Sequence, residues 1–133
     1  MAGDVILLDT HALLWWALDP EQLSTVAKDV VRTMEKRGGY ASSISIWELG
    51  IKAHRGQLEL PITVDELASR VEQGGVVELV AVDTTIWLRT LSLAWPHRDP
   101  ADRVIVATAL TKGVPVLTKD RLLHDFRGVD CVW

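Results

Sequence analysis

The sequence predicts an α/β fold in which helices cover both faces of a parallel sheet. Short apolar runs alternate with longer amphipathic runs along all 133 residues, and this alternation is typical of such folds. Hydrophobic residues make up 48% of the chain and charged residues 24%, as in an ordinary globular protein. No repeat and no Pro/Gly/Ser-rich linker interrupts the pattern, so we expect one domain over residues 1–133.

The first third of the chain predicts a strand and two helices. Residues 5–8 form an apolar run expected to be a buried strand, and residues 12–18 an apolar helix. Asp19-Pro20 is expected to cap and begin a second helix, which Gly38-Gly39 ends. One face of this helix carries apolar residues at spacings of three and four, namely Leu23, Val26, Ala27, Val30, Val31 and Met34.

The middle of the chain predicts two strands and two helices. Residues 40–43 are expected to be a strand, and residues 44–55 a helix that Gly56 ends. Thr63 and Glu66 have the spacing of a capping box, which predicts a helix from this point. Residues 76–82 are apolar with one charge, as in a central strand.

The last third predicts three helices and two strands. Asp83 is expected to cap a helix reaching towards residue 95, and Asp99-Pro100 to begin a helix over residues 101–110. The latter helix is apolar nearly all round, which predicts burial. The remaining elements are a strand at 114–117, a helix at 120–126 and a strand at 129–132. Five strands result, and their order is left open.

Charge and cysteine content exclude several classes of function. The net charge of −4 has the wrong sign for holding nucleic acid by bulk attraction to phosphate. Cys131 is the single cysteine, which excludes an internal disulfide and a cysteine zinc site. The longest apolar run has seven residues, and no secretory signal is evident, so we expect a cytoplasmic protein without a membrane span.

Four acidic residues fall at junctions between predicted strands and helices. Asp9 and Asp120 end strands, whereas Glu48 and Asp102 lie in the first turns of helices. Helix capping accounts for any one of them alone, and Ser45 with Glu48 has capping-box spacing. Together, clustered carboxylates repel one another unless cations compensate, and oxygen ligands without His or Cys suit Mg²⁺ or Mn²⁺. A cation bound at such a site activates a water molecule to attack a phosphodiester, and its charge also attracts the phosphate.

The motifs that carry these acids resemble those of PIN-domain ribonucleases, and more narrowly of VapC-type toxins. They are LLDTHALLWW around Asp9, SIWEL around Glu48, DPADRVIVATA around Asp102 and LTKD ending at Asp120. Their order and spacing match the family from Val5 to the C-terminus. Where many members of that family have Asn or Ser, this sequence has His11. This position is not a metal ligand in the family.

The resemblance implies a PIN-like α/β/α sandwich and an endoribonuclease that depends on Mg²⁺ or Mn²⁺. It places Asp9, Glu48, Asp102 and Asp120 in the family's acidic quartet. It also implies 5′-phosphate and 3′-hydroxyl products, a homodimer, a small antitoxin, and contact with DNA only through that antitoxin. Thr118 matches the hydroxyl residue before the last acid, and Thr10 the polar residue after the first.

Other residues give weaker indications. Lys52, Arg103 and Lys119 lie near the acidic motifs and are candidates for RNA contacts, although solvated surface charge is the simpler reading. The four histidines show no metal spacing and are expected to have surface or capping roles. Tryptophans on helices are more often core or interface than base-stacking groups, and Trp15-Trp16 is a candidate dimer or antitoxin surface.

Alternative functions on an α/β fold fit less well. A phospho-accepting receiver module needs an acidic pair after its first strand and a late Lys-Pro, and both are missing. A phosphatase with an Asp-x-Asp motif needs an acid where His11 stands. A catalytically silent binding protein on the same fold stays open.

Overall fold

A computed structural model describes residues 5–133 and contains, within that range, five strands and seven α-helices. The strands are β1 (Leu7–Leu8), β2 (Gly39–Ser42), β3 (Val77–Val80), β4 (Val116–Leu117) and β5 (Cys131–Val132). The helices are α1 (Thr10–Leu18), α2 (Thr25–Arg37), α3 (Ser43–His54), α4 (Val64–Gly74), α5 (Thr84–Ser92), α6 (Pro100–Lys112) and α7 (Arg121–His124). None of these helices combines the length and apolarity needed to cross a membrane.

All five strands form one parallel sheet in the order β3-β2-β1-β4-β5. The first strand of the chain is therefore the central one, with Leu8 paired to Ala41 on one side and Leu117 on the other. This confirms the predicted α/β class and parallel sheet. Because β1 is central, residues that follow it lie at the middle of the carboxyl edge of the sheet, where ligands bind in such folds.

Alternate residues of β1 pack into different layers, as the two-residue period of a strand requires. Ile6 and Leu8 lie in a core cluster with residues of α1, α2, α3 and α4. Leu7 packs on the opposite face with Ile105 of α6 and Leu123 of α7. Helices thus cover both faces, and the architecture is the expected α/β/α sandwich.

Helix α6 is buried on most of its circumference, as predicted from its all-round apolar sequence. Seven of its thirteen residues are buried, from Ala101 to Ala109, and it packs between the sheet and α5. Gly113 ends it in the left-handed conformation with φ of 67°. A helix fixed in this way holds its first turn, and therefore Asp102, in a rigid position.

The junction between α2 and β2 requires its two glycines. Gly38 has φ of 90°, a conformation that favours glycine, and its N–H donates to the carbonyl of Met34. A Cβ at Gly39 would lie 2.6 Å from Cγ of Met34. The predicted helix stop at this pair is therefore confirmed, and β2 passes directly beneath the end of α2.

Two predicted helix boundaries are wrong. Asp19-Pro20 begins only a short 3₁₀ turn (Pro20–Gln22), and the cap of α2 is Ser24, whose hydroxyl accepts from the N–H of Ala27 at 3.0 Å. Helix α5 ends at Ser92 instead of approaching residue 95, and residues 93–99 have no regular structure. Most strands are also shorter than their apolar runs, because some apolar residues outside the hydrogen-bonded part of a strand are buried as well.

The two candidate caps of α2 provide a stability test. We expect Ser24→Ala to lower the free energy of unfolding by about 1 kcal/mol, because it leaves a helix N–H without its acceptor. Asp19→Ala is the matched control and should have a smaller effect, since its carboxylate contacts only the exposed Gln22 side chain. Urea unfolding of both variants measures this, and a larger loss for Asp19→Ala would contradict the assignment.

Candidate active site

The four predicted carboxylates line one cleft of about 370 Å³ at the carboxyl edge of the sheet. Each comes from a separate junction: Asp9 from β1, Glu48 from α3, Asp102 from α6 and Asp120 from the start of α7. The cleft is also lined by Thr10, His11, Trp15, Lys52, Asp99 and Lys119. A larger groove of about 500 Å³ contains only Glu72 and Glu78 as acids, so size alone does not identify the site.

Asp9 is the most enclosed of the four acids, with 7% of its surface exposed. It caps α1, where Oδ1 accepts from the N–H of Ala12 at 2.8 Å, and Oδ2 accepts from the hydroxyl of Thr118 at 2.5 Å. Burial raises the pKa of the Asp9 carboxyl, and the neighbouring Asp120 raises this pKa further. The hydrogen bonds from Thr118 and Ala12 oppose that rise.

Two buried hydroxyl residues hold the cleft floor together. Thr118 follows β4, and besides donating to Asp9 it accepts from the N–H of Asp120 at 3.0 Å. It therefore connects the first and last acids directly. Thr10 is also buried, and its hydroxyl shares a hydrogen bond of 2.9 Å with Ser45 of α3. The first bond joins β1 to β4, and the second joins α1 to α3.

Glu48 has no capping role. Helix α3 begins at Ser43 and is capped by Ser42, so the alternative in which Ser45 and Glu48 form a capping box is wrong. Ser45 lies inside the helix and uses its hydroxyl on Thr10. The Glu48 carboxylate instead faces the cleft, where Oε2 lies 3.4 Å from Nζ of Lys52, one turn along α3.

Asp102 contacts a histidine that the sequence gave no reason to place there. Nε2 of His97 lies 2.6 Å from Oδ2 of Asp102, and both side chains are largely buried. Burial raises the pKa of the Asp102 carboxyl to about 6, against the hydrogen bond from His97, which lowers it. Asp99 and Asp120 add repulsion. The expected surface or capping role of His97 is therefore wrong.

Arg103 is occupied with the backbone of the segment before α6. Its guanidinium donates five hydrogen bonds to four carbonyl oxygens, with distances from 2.6 to 3.3 Å. These oxygens belong to Thr90, Leu93, Trp95 and His97. Arg103 does not line the cleft, so the prediction of an RNA contact for it is corrected to a structural role. It shapes the irregular segment that carries His97 to Asp102.

Asp120 and Asp99 both cap helices. Oδ1 of Asp120 accepts from the N–H of Leu122 at 2.9 Å, while the residue also lines the cleft. Oδ1 of Asp99 accepts from the N–H groups of Ala101 and Asp102, as its Asp-Pro sequence predicted. Asp120 thus combines capping with a place in the cleft, as Asp9 does.

The oxygen atoms that line the cleft are the kind of ligand that a hard divalent cation prefers. Carboxylate oxygens dominate the cleft, and repulsion from Asp120 disfavours the ionised forms of both Asp9 and Asp102. Within residues 5–133, however, no three acidic, imidazole or thiol groups already converge on one point as a metal site. The cleft therefore supplies the ligand types for such a cation without a preformed set of ligands.

The fold is an α/β/α sandwich with an acidic cleft at the carboxyl edge of its sheet, and comparison with known proteins identifies its family. The chain belongs to the PIN domain family, whose model matches residues 6–129. It is similar to Ribonuclease VapC22 of Mycobacterium tuberculosis (strain ATCC 25618 / H37Rv), with 33% identity over 126 residues and 92% of each chain covered. The resemblance to PIN-domain ribonucleases of the VapC type is therefore confirmed, and the receiver and phosphatase alternatives lose their support.

Solved structures show the same fold. VapBC2 from Rickettsia felis, bound to a DNA fragment from its promoter, matches with a TM-score of 0.68 and 12% identity, covering 96% of this chain and 97% of that one. DNA-bound VapBC from Salmonella typhimurium matches with a TM-score of 0.68 and 18% identity over 99% and 98%. FitAcB from Neisseria gonorrhoeae matches with a TM-score of 0.62 and 20% identity over 96% of both chains.

The raised pKa of Asp102 predicts a pH-dependent gain in stability for Asp102→Asn. The folded protein holds this proton more tightly than the unfolded chain, so stability falls as pH rises from about 4 to about 6 and stays low above that range. The amide removes the cost of ionisation. In EDTA, we expect Asp102→Asn to raise the free energy of unfolding at about pH 7.5 by up to about 3 kcal/mol.

The same substitution should have little effect at about pH 4, where the carboxyl is already protonated. Urea unfolding at both values measures the difference. Asp29→Asn is the matched control, because Asp29 is exposed and contacts only Arg32 of its own helix. An equal gain at both pH values would contradict the assigned pKa.

The carbonyl contacts of Arg103 predict that lysine cannot replace it. Arg103→Lys retains the charge but leaves most of the four carbonyls without a donor, so we expect the free energy of unfolding to fall by about 2 kcal/mol. Arg70→Lys is the control, since Arg70 is exposed and contacts only Glu66. Urea unfolding, with amide hydrogen exchange over residues 93–99, measures both, and equal losses would contradict this role.

Proposed function

We propose that this chain is the toxin of a toxin–antitoxin pair and acts as an endoribonuclease that depends on Mg²⁺ or Mn²⁺. The observation that carries the proposal is the cleft itself, which is lined by acids from four separate elements. Membership of the PIN domain family and similarity to Ribonuclease VapC22 support it. The substrate is RNA, and hydrolysis leaves 5′-phosphate and 3′-hydroxyl ends.

We assign a role to each acid as part of this proposal. Asp9, Asp102 and Asp120 would hold the cation, and Glu48 would bind a second ion or orient the attacking water. A bound divalent cation supplies Lewis acidity and neutralises charge on the scissile phosphate. Thr118 keeps Asp9 aligned by donating to its Oδ2, and Thr10 anchors α1 to α3 behind the cleft.

Two lysines that line the cleft are proposed to contact the RNA backbone. Lys52 and Lys119 both line it, and they supply local positive charge in a protein whose net charge is −4. Each can approach a phosphate while the acids hold the cation. Arg103 has no part in this contact, because its guanidinium is committed to backbone carbonyls.

We further propose a small antitoxin partner and a homodimer. The structural relatives named above include VapBC complexes bound to DNA, which supports an antitoxin and a connection to DNA through it. The cytoplasm, where RNA and a cognate antitoxin are both accessible, is the proposed location. The single domain proposed for residues 1–133 is compatible with all of these partners.

Cleavage of total cellular RNA tests the activity. Purified, antitoxin-free protein should produce discrete fragments with Mg²⁺ or Mn²⁺ and none with EDTA. Asp9→Asn should abolish cleavage without unfolding the chain, because it removes a ligand and also relieves a buried charge. Asp29→Asn, an exposed acid outside the cleft, should cleave like the unsubstituted protein.

Fragment sequencing would then identify the RNA and its end groups. Activity that persists in EDTA or in folded Asp9→Asn would contradict the metal-site assignment. No cleavage by folded protein with either cation would favour a catalytically silent binding protein on the same fold.

A further inference from the structure

Trp15 is the aromatic side chain that lines the acidic cleft without taking part in its carboxylate chemistry. It lies on α1, less than two turns beyond Asp9, and is partly exposed. Its neighbour Trp16 faces elsewhere: it lines a groove with residues of α4 and donates its Nε1–H to Glu35 at 3.1 Å. The Trp15-Trp16 pair is therefore not one surface, and the two rings require separate explanations.

The ring of Trp15 is held in place by two others. The His11 ring lies 5.4 Å away at an angle of 45°, and the Trp133 ring lies 5.7 Å away at 54°. Both arrangements are tilted contacts, which restrict the orientation of the indole. A braced aromatic ring loses little conformational freedom when a ligand stacks on it.

A positive charge covers this ring in the free protein. Nζ of Lys119 lies over it, 5.8 Å from its centroid, although Lys119 is exposed and has Asp120 as its neighbour in sequence. A cation in this position over an indole is attracted by the ring's negative face. The contact is weak at an exposed site, so a nucleobase can displace the ammonium, which then becomes available to a phosphate.

We infer that Trp15 is a base-stacking subsite that receives an unpaired nucleobase beside the scissile phosphate. This inference rests on the proposed ribonuclease function and adds to its cleft a subsite for one unpaired base. Base–aromatic stacking requires a base that has left its helix, and it tolerates different bases because each has a π-face. Lys119 then exchanges its contact with the ring for one with the RNA backbone.

The location of Trp15 favours RNA over a protein partner. The ring shares its cleft with five acids and with Lys52 and Lys119, a mixture suited to a phosphate chain with cations. The apolar exposed tryptophans are elsewhere: Trp47 and Trp87 line a separate groove with Ile44, Val82 and Pro100. That groove has the composition expected of a protein contact, whereas the Trp15 cleft does not.

Binding of defined oligomers tests the subsite. Three oligomers of equal length are compared: oligoadenylate, oligouridylate and an abasic ribose-phosphate oligomer. Their binding is measured by fluorescence anisotropy with Ca²⁺ in place of Mg²⁺, because Ca²⁺ takes oxygen ligands at longer distances. We expect Trp15→Ala to bind both base-containing oligomers about five- to a hundredfold more weakly. Its affinity for the abasic oligomer should be unchanged. Trp15→Phe, which keeps a smaller ring, should lie between.

Trp87→Ala is the matched control, because Trp87 is 45% exposed on α5 and lies outside the cleft. It should bind all three oligomers like the unsubstituted protein. Circular dichroism and elution volume are recorded for every variant. An equal loss for abasic and base-containing oligomers would overturn stacking, since it would show that Trp15 only supports α1.

Three further outcomes separate this inference from the activity itself. If the unsubstituted protein cleaves RNA while Trp15→Ala binds all oligomers normally, the stacking inference is wrong and the ribonuclease stands. A changed elution volume with normal RNA binding would instead assign Trp15 to a protein interface. If the unsubstituted protein neither binds these oligomers nor cleaves total RNA, the proposed function fails and the inference fails with it.

Discussion

The buried carboxylate of Asp9 is the constraint on which the rest of the site depends. It is placed at the end of the central strand, where solvent cannot compensate its charge, so the surrounding chain must supply donors. The N–H of Ala12 and the hydroxyl of Thr118 do so from two different elements. The beginning of α1 and the end of β4 are thereby fixed relative to each other. The same two elements carry Trp15 and lead into Asp120, so the geometry of the cleft follows from satisfying one buried charge.

Much of this arrangement could be predicted from residue patterns. Apolar runs and their stop signals located all five strands, and the positions of Asp9 and Asp120 at strand ends placed them on one edge, because parallel strands share their carboxyl edge. The environments of His97 and Arg103 could not be predicted in this way. Arg103 binds backbone carbonyls of an irregular segment. The residue types of such a segment do not show where its carbonyl groups point. The cap at Ser24 was missed because Asp19-Pro20 presents the stronger local pattern.

The negative charges of these cleft acids are compensated by a different neighbouring group for each acid, instead of by one shared positive charge. Glu48 has Lys52, Asp102 has His97, and Asp9 has hydrogen-bond donors. A net charge of −4 therefore coexists with lysines at the cleft, and overall charge is a poor guide to what the cleft attracts. Burial nevertheless raises the pKa values of the Asp9 and Asp102 carboxyls, and the neighbouring Asp120 raises both further.

The hydrogen bond between Asp9 and Thr118 spans 109 positions of the chain. Because the chain is made from its N-terminus, Asp9 and Glu48 are synthesised well before Asp102, Thr118 and Asp120. A nascent chain that has reached α5 has neither the second half of the acid set nor the hydroxyl that aligns the first half. The cleft is therefore complete only once Thr118 and Asp120 have been synthesised, and a growing chain that lacks them has only part of the proposed active site.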